Sequence, residues 1–276
     1  MQRRWNLTFT RVMGSSMTSA EIAMLVLIAV FGHAMAFFWH CASRFDWKIC
    51  AQTIYAIPIT KQQIRREVKN SINSPIHSVI LFGFLLLNFG NNVTWVSFVI
   101  SLLLTAVWAE AWHYISHRIF HTQRFHWIHA EHHKSYLSSP FTALSFSFTE
   151  KLVFNLGILG LLAAIDCFYS LSFFGIGTWF IGYLIINSFS HANFEIKSKG
   201  FQAFAGKVLT STTYHSLHHS RYTKNYGLGT RILDRIFGTE WDDYEPLFNQ
   251  IAGDNKPLTK LGERFKSSGL SRQGAP

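Results

Sequence analysis

Apolar residues gather into long runs separated by basic and polar stretches, and the runs have membrane length. Ile22–His40 is a 19-residue apolar stretch, and about 20 residues of helix cross the hydrocarbon core of a bilayer. Ile76–Phe89, the turn formers Gly90-Asn91-Asn92 and the 20-residue run Val93–Trp112 predict an out-and-back helical hairpin. A second hairpin is predicted by Leu152–Phe174, 23 residues interrupted by Asn155 and Asp166, then Gly175 and Ile176–Ser190. A hairpin returns the chain to the side it left, so the segments flanking both hairpins share one face. Residues 43–74 are amphipathic and basic (Arg44, Lys48, Lys61, Arg65, Arg66, Lys69), which predicts a segment lying on the membrane surface. A solvated helix face is the other reading of Lys61–Lys69. From Lys197 the chain turns polar and is expected to form a soluble cap, with a flexible tail after Gly262. The expected fold is all-α: an integral-membrane bundle of two transmembrane hairpins plus an N-terminal apolar helix, under a cytoplasmic helical cap. Its expected divisions are 1–74 (membrane helix and interfacial segment), 75–245 (central helical unit) and 246–276 (polar tail).

Composition agrees. Hydrophobic residues make up 49% of the chain and charged residues 14%, with 26 Phe, a balance that suits a membrane protein better than an ordinary soluble domain. The formal net charge is +10, and residues 1–70 carry nine Lys/Arg against Glu21, Asp46 and Glu67. Such an excess marks loops on the cytoplasmic side of a membrane. The basic residues are scattered between apolar runs and form no aromatic-interleaved patch, which argues against nucleic acid as a partner. Cys41, Cys50 and Cys167 make no C-x-x-C pair and read as free thiols in a reducing compartment. The first apolar run ends in Phe37-Phe-Trp-His-Cys41, so no signal cleavage is expected. If Ile22–His40 spans fully, the N-terminus lies on the opposite face despite Arg3, Arg4 and Arg11. A re-entrant helix, or a native start at Met13 or Met17, would relieve that conflict. The end Ser271-Arg-Gln-Gly-Ala-Pro276 has no endoplasmic-reticulum retrieval motif, which favours a bacterial inner membrane.

The chemistry is concentrated elsewhere. Seven of the fourteen histidines fall in residues 113–133, and three more form His215-Ser-Leu-His218-His219. Imidazole is the commonest protein metal ligand, and no folding requirement demands this density. The pattern reads as a metal centre made almost wholly of histidine. His113, His117 and His121 are spaced i, i+4, i+8 and line one helical stripe. His129, His132 and His133 are spaced i, i+3, i+4, as are His215, His218 and His219. In each triplet the i and i+4 side chains share a face and can chelate one ion, whereas the adjacent pair diverges by about 100°. Two such triplets predict two ions. Histidine serves zinc, iron, copper and nickel alike. Soluble di-iron bundles use two E-x-x-H motifs. Only Glu110-x-x-His113 fits here, so that architecture fails. His33 and His40 lie in the first apolar run and read as interfacial or packed histidines, and His77, alone in its run, reads as packed or hydrogen-bonded. His126 lies off the i/i+4 pattern with His129.

These residues resemble the membrane fatty acid hydroxylase/sterol desaturase superfamily, non-haem di-iron enzymes marked by H-x-x-x-H, H-x-x-H-H and H-x-x-H-H boxes. The likeness covers roughly Glu110 to Trp241 and places the enzyme-like domain within 75–245. His117-Arg-Ile-Phe-His121 matches the first box and His129-Ala-Glu-His132-His133 the second, with Ser139-Pro140-Phe141 after it. His191-Ala-Asn193 resembles the isolated histidine between boxes. His215-Ser-Leu-His218-His219, Asn225-Tyr226-Gly227, Asp234 and Phe237-Gly238-Thr239 match the closing signature. Trp112-His113-Tyr114 is most similar to the sterol methyl oxidase branch. Many members carry a histidine where Ser147 stands, in Phe146-Ser147-Phe148-Thr149-Glu150. That departure puts the ligand number of one ion in question and argues against a standard sterol desaturase.

Carried over residue by residue, the resemblance implies His117, His121, His129, His132, His133, His191, His215, His218 and His219 as ligands of two irons, with zinc able to substitute in purified protein. His113 lies on the stripe, but most members lack a histidine there. Glu110, Asn193 and Asp234 are candidate partners orienting a ligand imidazole. The plainer alternatives are a helix-end carboxylate for Glu110, an ordinary turn at Asn225-Tyr226-Gly227, and pairing of Asp234 with Arg231 or Arg235. The implied activity is O2-dependent hydroxylation or desaturation of a lipid (a sterol, fatty acyl or related isoprenoid or alkyl lipid) entering from the bilayer, with no side-chain base or nucleophile required. Electrons would come from a separate donor, a ferredoxin or a cytochrome with its reductase, since the chain carries no flavin or nicotinamide fingerprint. Two rival classes also use histidine centres. One is a zinc-dependent membrane lipid hydrolase. The other is a histidine-rich metal transporter, which would need its histidines within the spans, whereas most here sit just outside them.

Overall fold

The computed structural model of the protein describes residues 18–45, 47–50, 52–73 and 94–265. The expected arm Ile76–Phe89 with its turn at 90–92, His77, Met13, Met17, the N-terminal arginines and the end of the tail lie outside the described residues. Four of the described helices are long and apolar enough to cross a membrane: α1 (Ser19–Arg44), α3 (Trp95–Phe120), α5 (Phe148–Asp166) and α6 (Phe173–Ser190). The fold is mostly helical, as expected, and these four helices pack together on a shared core of Ile28, Ala109, Ile158, Leu162 and Ile176.

Local chemistry explains where these helices begin and how they meet. Thr18 and Glu21 form a reciprocal capping box at the start of α1, the Thr18 side chain accepting from the Glu21 amide at 3.2 Å and the Glu21 carboxylate accepting from the Thr18 amide at 2.9 Å. In α3 the buried residues Ser97, Ser101, Thr105 and Ala109 recur every fourth position, a stripe of small side chains that lets neighbouring helices approach closely. The opposite face exposes Trp95, Val96, Leu103 and Val107. α3 runs unbroken for 26 residues, so the apolar helix continues directly into the segment bearing His113 and His117.

The second hairpin turns earlier than its apolar pattern predicts. The chain reverses at residues 167–172, and Phe173, Phe174 and Gly175 already belong to α6. The Asp166 side chain, expected only as an interruption, accepts from the Leu171 amide at 2.6 Å, and the Ser172 side chain caps α6. Ser101 of α3 holds the turn by accepting from the Ser172 amide at 2.7 Å. Gly175 is a packing residue, not a turn residue: a Cβ there would lie 2.5 Å from the Phe98 carbonyl oxygen.

Beside the four long helices sits the cap. It comprises α2 (Lys61–Ser71), α4 (His126–His133), α7 (Thr212–Arg221), α8 (Ile232–Ile236) and α9 (Tyr244–Ala252), with short 3-10 turns. Strands β1 (Gln52–Thr53) and β2 (Phe194–Glu195) pair antiparallel, Gln52 opposite Glu195. The cap has its own core of Ile54, Tyr55, Tyr214, Tyr244, Phe248 and Leu258. Two expected divisions are therefore packed into it. Part of the basic segment 43–74 enters through β1 and α2, whose Glu67 is fully buried. Residues 246–258 complete α9 and bridge to Ile54 and Ala56 through the Leu258 backbone. Arg231, also fully buried, pairs with Glu240 at 2.6 Å and Glu245 at 2.9 Å.

Candidate metal centre

The histidines converge from four helices at the junction of the membrane-length bundle and the cap. α3 supplies His117, and His121 forms its C-cap. A tight turn, with the Thr122 carbonyl accepting from the Phe125 and His126 amides, starts α4, which supplies His129, His132 and His133. His191 caps the end of α6. α7, capped by Ser211, supplies His215, His218 and His219. Their ring nitrogens form two groups, each with ligand atoms within 4.8 Å of one another: His117, His121, His129, His133 and His218, and His132, His191, His215 and His219. The division follows the predicted helical geometry. Each H-x-x-H-H helix gives its i and i+4 residues to one group and its i+3 residue to the other.

Buried imidazoles with fixed outer partners present their remaining nitrogen inward. A backbone carbonyl can only accept, so the nitrogen facing it carries the hydrogen. Nδ1 of His117 donates to the Tyr226 carbonyl at 2.8 Å, that of His218 to Lys224 at 2.7 Å and that of His219 to Ser135 at 3.0 Å. His132 donates likewise to Ser145 at 3.3 Å and His191 to Asn187 at 2.7 Å. Nδ1 of His129 meets the Glu150 carboxylate. In the five rings that face carbonyls Nε2 is left with a lone pair. Burial holds His121 down to about 2 and His191 to about 4, and it holds His129, His132, His133, His215, His218 and His219 well below the usual imidazole range. These rings are therefore neutral at ordinary pH, the form that binds metal.

The donors fit two cations. Nε2 of His117, His129 and His219 is buried without a hydrogen-bond partner among the described residues. Each such orphaned group costs about 1–3 kcal/mol, and coordination would satisfy it. Pairs of Nε2 atoms from different helices also converge: His133 and His218 lie 3.0 Å apart, His191 and His215 3.0 Å, and His132 and His191 3.2 Å. The donor sets are all imidazole, which suits iron, zinc, copper or nickel.

Several expected residues have other tasks. His113 belongs to neither group; its ring packs on His117 at 5.1 Å and Phe154 at 5.5 Å. His126 pairs with the Tyr222 hydroxyl, outside both groups. Glu110 orients no imidazole. Its carboxylate accepts from the Thr230 amide at 2.7 Å and from the Gly229 amide at 3.3 Å, pinning the loop that follows Tyr226. Asn193 likewise touches no ligand and clamps the Tyr55 backbone, accepting from its amide at 2.9 Å and donating to its carbonyl at 2.8 Å. Asp234 acts one step removed. It accepts from the Tyr226 and Gly227 amides and thereby fixes the carbonyl that His117 uses; the nearby arginines pair with Glu240 and Glu245 instead. Ser147, at the position where many members of the resembled superfamily carry a histidine, caps α5 and donates to the Ile128 carbonyl at 2.7 Å.

Glu150 is the residue the sequence reading missed. Its signal was the Ser147-x-x-Glu150 spacing of a helix start, which says nothing of the imidazole it would meet. A cavity of about 120 Å³ borders both groups, touching His117 and His129 of one and His132, His191 and His215 of the other. Its apolar wall includes Phe146, Phe154, Phe180 and Leu184.

The fatty acid hydroxylase family model matches residues 102–239, half of the chain, and the match contains every histidine of both groups. The chain is 30% identical over 167 residues to the very-long-chain aldehyde decarbonylase GL1-6 of Oryza sativa subsp. indica, covering 55% of this chain and 25% of that protein. It is 32% identical over 130 residues to the very-long-chain aldehyde decarbonylase CER1 of Arabidopsis thaliana, covering 44% of this chain and 20% of that one. It thus spans about a quarter or less of the length of these relatives. No solved structure matches the chain. The two histidine groups and the match that encloses them lead to one conclusion: the chain belongs to the fatty acid hydroxylase family.

Proposed function

We propose that this protein is an integral-membrane oxygenase that binds two irons and uses O2 to oxidise an unactivated C–H bond of a lipid, by hydroxylation or desaturation. The observation that carries the proposal is the pair of all-histidine groups bordering one apolar cavity beside the membrane-length helices. His117, His121, His129, His133 and His218 would hold one ion, and His132, His191, His215 and His219 the other. Bound there, iron supplies the reduction of O2 and the removal of hydrogen from the substrate carbon. The chain's own part is to position and exclude water. The carbonyls of Tyr226, Ser145 and Asn187 keep the imidazoles in one tautomer, and Phe146, stacked on His132 at 4.3 Å, and Phe154 close the cavity with apolar surface.

In this reading the lipid enters from the bilayer, the histidine centre faces the cytoplasm of a bacterial inner-membrane protein, and a separate redox protein delivers electrons. The names of the relatives add a very-long-chain aldehyde to the candidate substrates. The zinc-dependent hydrolase remains the rival. Protein purified from membranes and loaded with iron is assayed for lipid-dependent O2 uptake, with products read by mass spectrometry. Two irons per chain, O2 consumption and a product with one oxygen gained or two hydrogens lost support the proposal. A product shortened by one carbon moves the assignment to decarbonylation. Full turnover without O2 overturns the proposal.

A further inference from the structure

We propose that Glu67, on a helix outside the family match, is a positioning residue for one ion only, the one held by His132, His191, His215 and His219. The inference rests on the two-ion reading above. Glu67 is fully buried in the cap, where a carboxylate is costly unless its oxygens are hydrogen-bonded. Here they are. Oε1 accepts from Ser135 Oγ at 2.6 Å, from Gln63 Nε2 at 2.8 Å and from Thr142 Oγ1 at 2.9 Å, and Oε2 accepts from Ser139 Oγ. Arg66 donates to Ser135 Oγ at 2.6 Å, which turns that hydroxyl's hydrogen toward Glu67. Three of the four donors come from the single segment 135–142. α2 therefore fastens that segment chiefly through this carboxylate, with Gln63 Nε2 also donating to the Leu137 carbonyl at 2.6 Å.

What the segment carries makes the fastening selective. The Ser135 carbonyl accepts from His219 Nδ1, and the Ser145 carbonyl accepts from His132 Nδ1. The Ala143 carbonyl accepts from Asn187 Nδ2 at 2.8 Å, and the Asn187 carbonyl in turn accepts from His191 Nδ1. Asn70, one turn beyond Glu67 on α2, donates to Ser145 Oγ at 3.3 Å. Three of the four imidazoles in this group thus take their orientation from residues 135–145, directly or through Asn187. The outer partners in the five-histidine group are Tyr226, Lys224 and Glu150, none of them on that segment. Loosening residues 135–145 therefore disturbs one ion position and leaves the other supported. Removing a hydrogen-bond partner that orients a metal ligand typically costs 10–100-fold in metal affinity.

The test uses the full-length chain in lipid nanodiscs, titrated with ferrous iron, with bound metal per chain and thermal unfolding measured together. Wild type is expected to hold two ions and Glu67→Gln one. In Glu67→Gln the remaining ion should vanish when His133→Ala is added and persist when His219→Ala is added. Thr142→Val, which removes one hydroxyl donor and perturbs the fold least, should weaken the same ion about tenfold and leave the other unchanged; it decides the matter if Glu67→Gln does not fold. The inference is overturned if Glu67→Gln and Thr142→Val hold both ions with wild-type affinity, or lose both in parallel. A wild-type chain that never binds two ions overturns the two-ion reading itself, a result distinct from a two-ion wild type with a two-ion Glu67→Gln.

Discussion

His132 and His133 are adjacent in the chain, yet their rings stand at 90° to one another with centroids 5.6 Å apart, and each points into a different ion group. His218 and His219 repeat the relationship at 85° and 5.8 Å. Two short helices thus link the two histidine groups, and metals bound there would become part of what holds α3, α4, α6 and α7 together. A ligand that binds only the folded state stabilises it by RT ln(1 + [L]/Kd), about 4 kcal/mol when free ligand is 1,000-fold above Kd. Stripping the metal with a chelator is therefore expected to lower Tm markedly, and adding ferrous iron or zinc back should restore it. Thermal unfolding in detergent, with and without chelator, checks this. An unchanged Tm would mean the histidine groups hold no structural cation.

Glu150 makes a narrower prediction. Its carboxyl group meets His129 Nδ1, while its second oxygen is buried without a hydrogen-bond partner among the described residues. A carboxylate behind a ligand imidazole fixes its tautomer and raises its basicity. Glu150→Gln keeps the volume and puts an amide in place of the carboxyl group. We expect a loss of 10–100-fold in affinity for the ion held by the five-histidine group, with little change at the other. Competition against a chromogenic chelator separates the two affinities. Equal weakening of both ions would contradict this account.

Much of this architecture was legible in the chain because it is written in periodicities. The i, i+4 spacing of His129 with His133 and of His215 with His219 already separates the histidines into two sets, since a helix fixes angles locally. The apolar runs likewise gave α1, α3, α5 and α6. The outer partners of those histidines were legible only in part: Asp234 was a candidate, whereas the roles of Glu150 and of the backbone carbonyls were not. Glu110 faces a loop 120 residues away, and Asp234 reaches His117 only through the Tyr226 backbone. Both depend on tertiary contacts between segments whose own patterns are unremarkable. Gly175 misled for a related reason. A glycine between apolar runs signals a turn when the chain is read alone, and only the approach of α3 shows that the missing side chain is what the packing needs.

The glycines of the membrane-length bundle give a paired stability test. A Cβ at Gly175 would sit 2.5 Å from the Phe98 carbonyl oxygen, whereas one at Gly160 would meet nothing within 4 Å among the described residues. Gly175→Ala must push α6 away from α3, and overpacking of this kind costs about 1–3 kcal/mol. Gly160→Ala meets no described residue within 4 Å and gains helix propensity of roughly 0.5–1 kcal/mol. Thermal unfolding of the two variants should move in opposite directions. A destabilised Gly160→Ala, or a neutral Gly175→Ala, would contradict the packing described.

Asp234 supports the final prediction, because it links the closing signature to the first histidine box. Its carboxylate accepts from the Gly227 amide at 2.7 Å, the Tyr226 amide at 3.0 Å, the Tyr214 hydroxyl at 2.9 Å and Thr239 Oγ1 at 2.7 Å. Asp234→Asn replaces one acceptor oxygen with a donor, so at least one buried donor loses its partner and another faces an N–H. With about 1–3 kcal/mol for each unsatisfied buried group, the expected loss of stability is on the order of 3 kcal/mol. The Tyr226 carbonyl then no longer sits fixed against His117 Nδ1, so affinity at the five-histidine group should fall along with Tm. Asp234→Glu retains the charge but lengthens the side chain in a fully buried site, and should recover metal binding only in part. Chemical denaturation and metal titration on both variants check the pair of effects. Full stability in Asp234→Asn would show that these four donors find other acceptors.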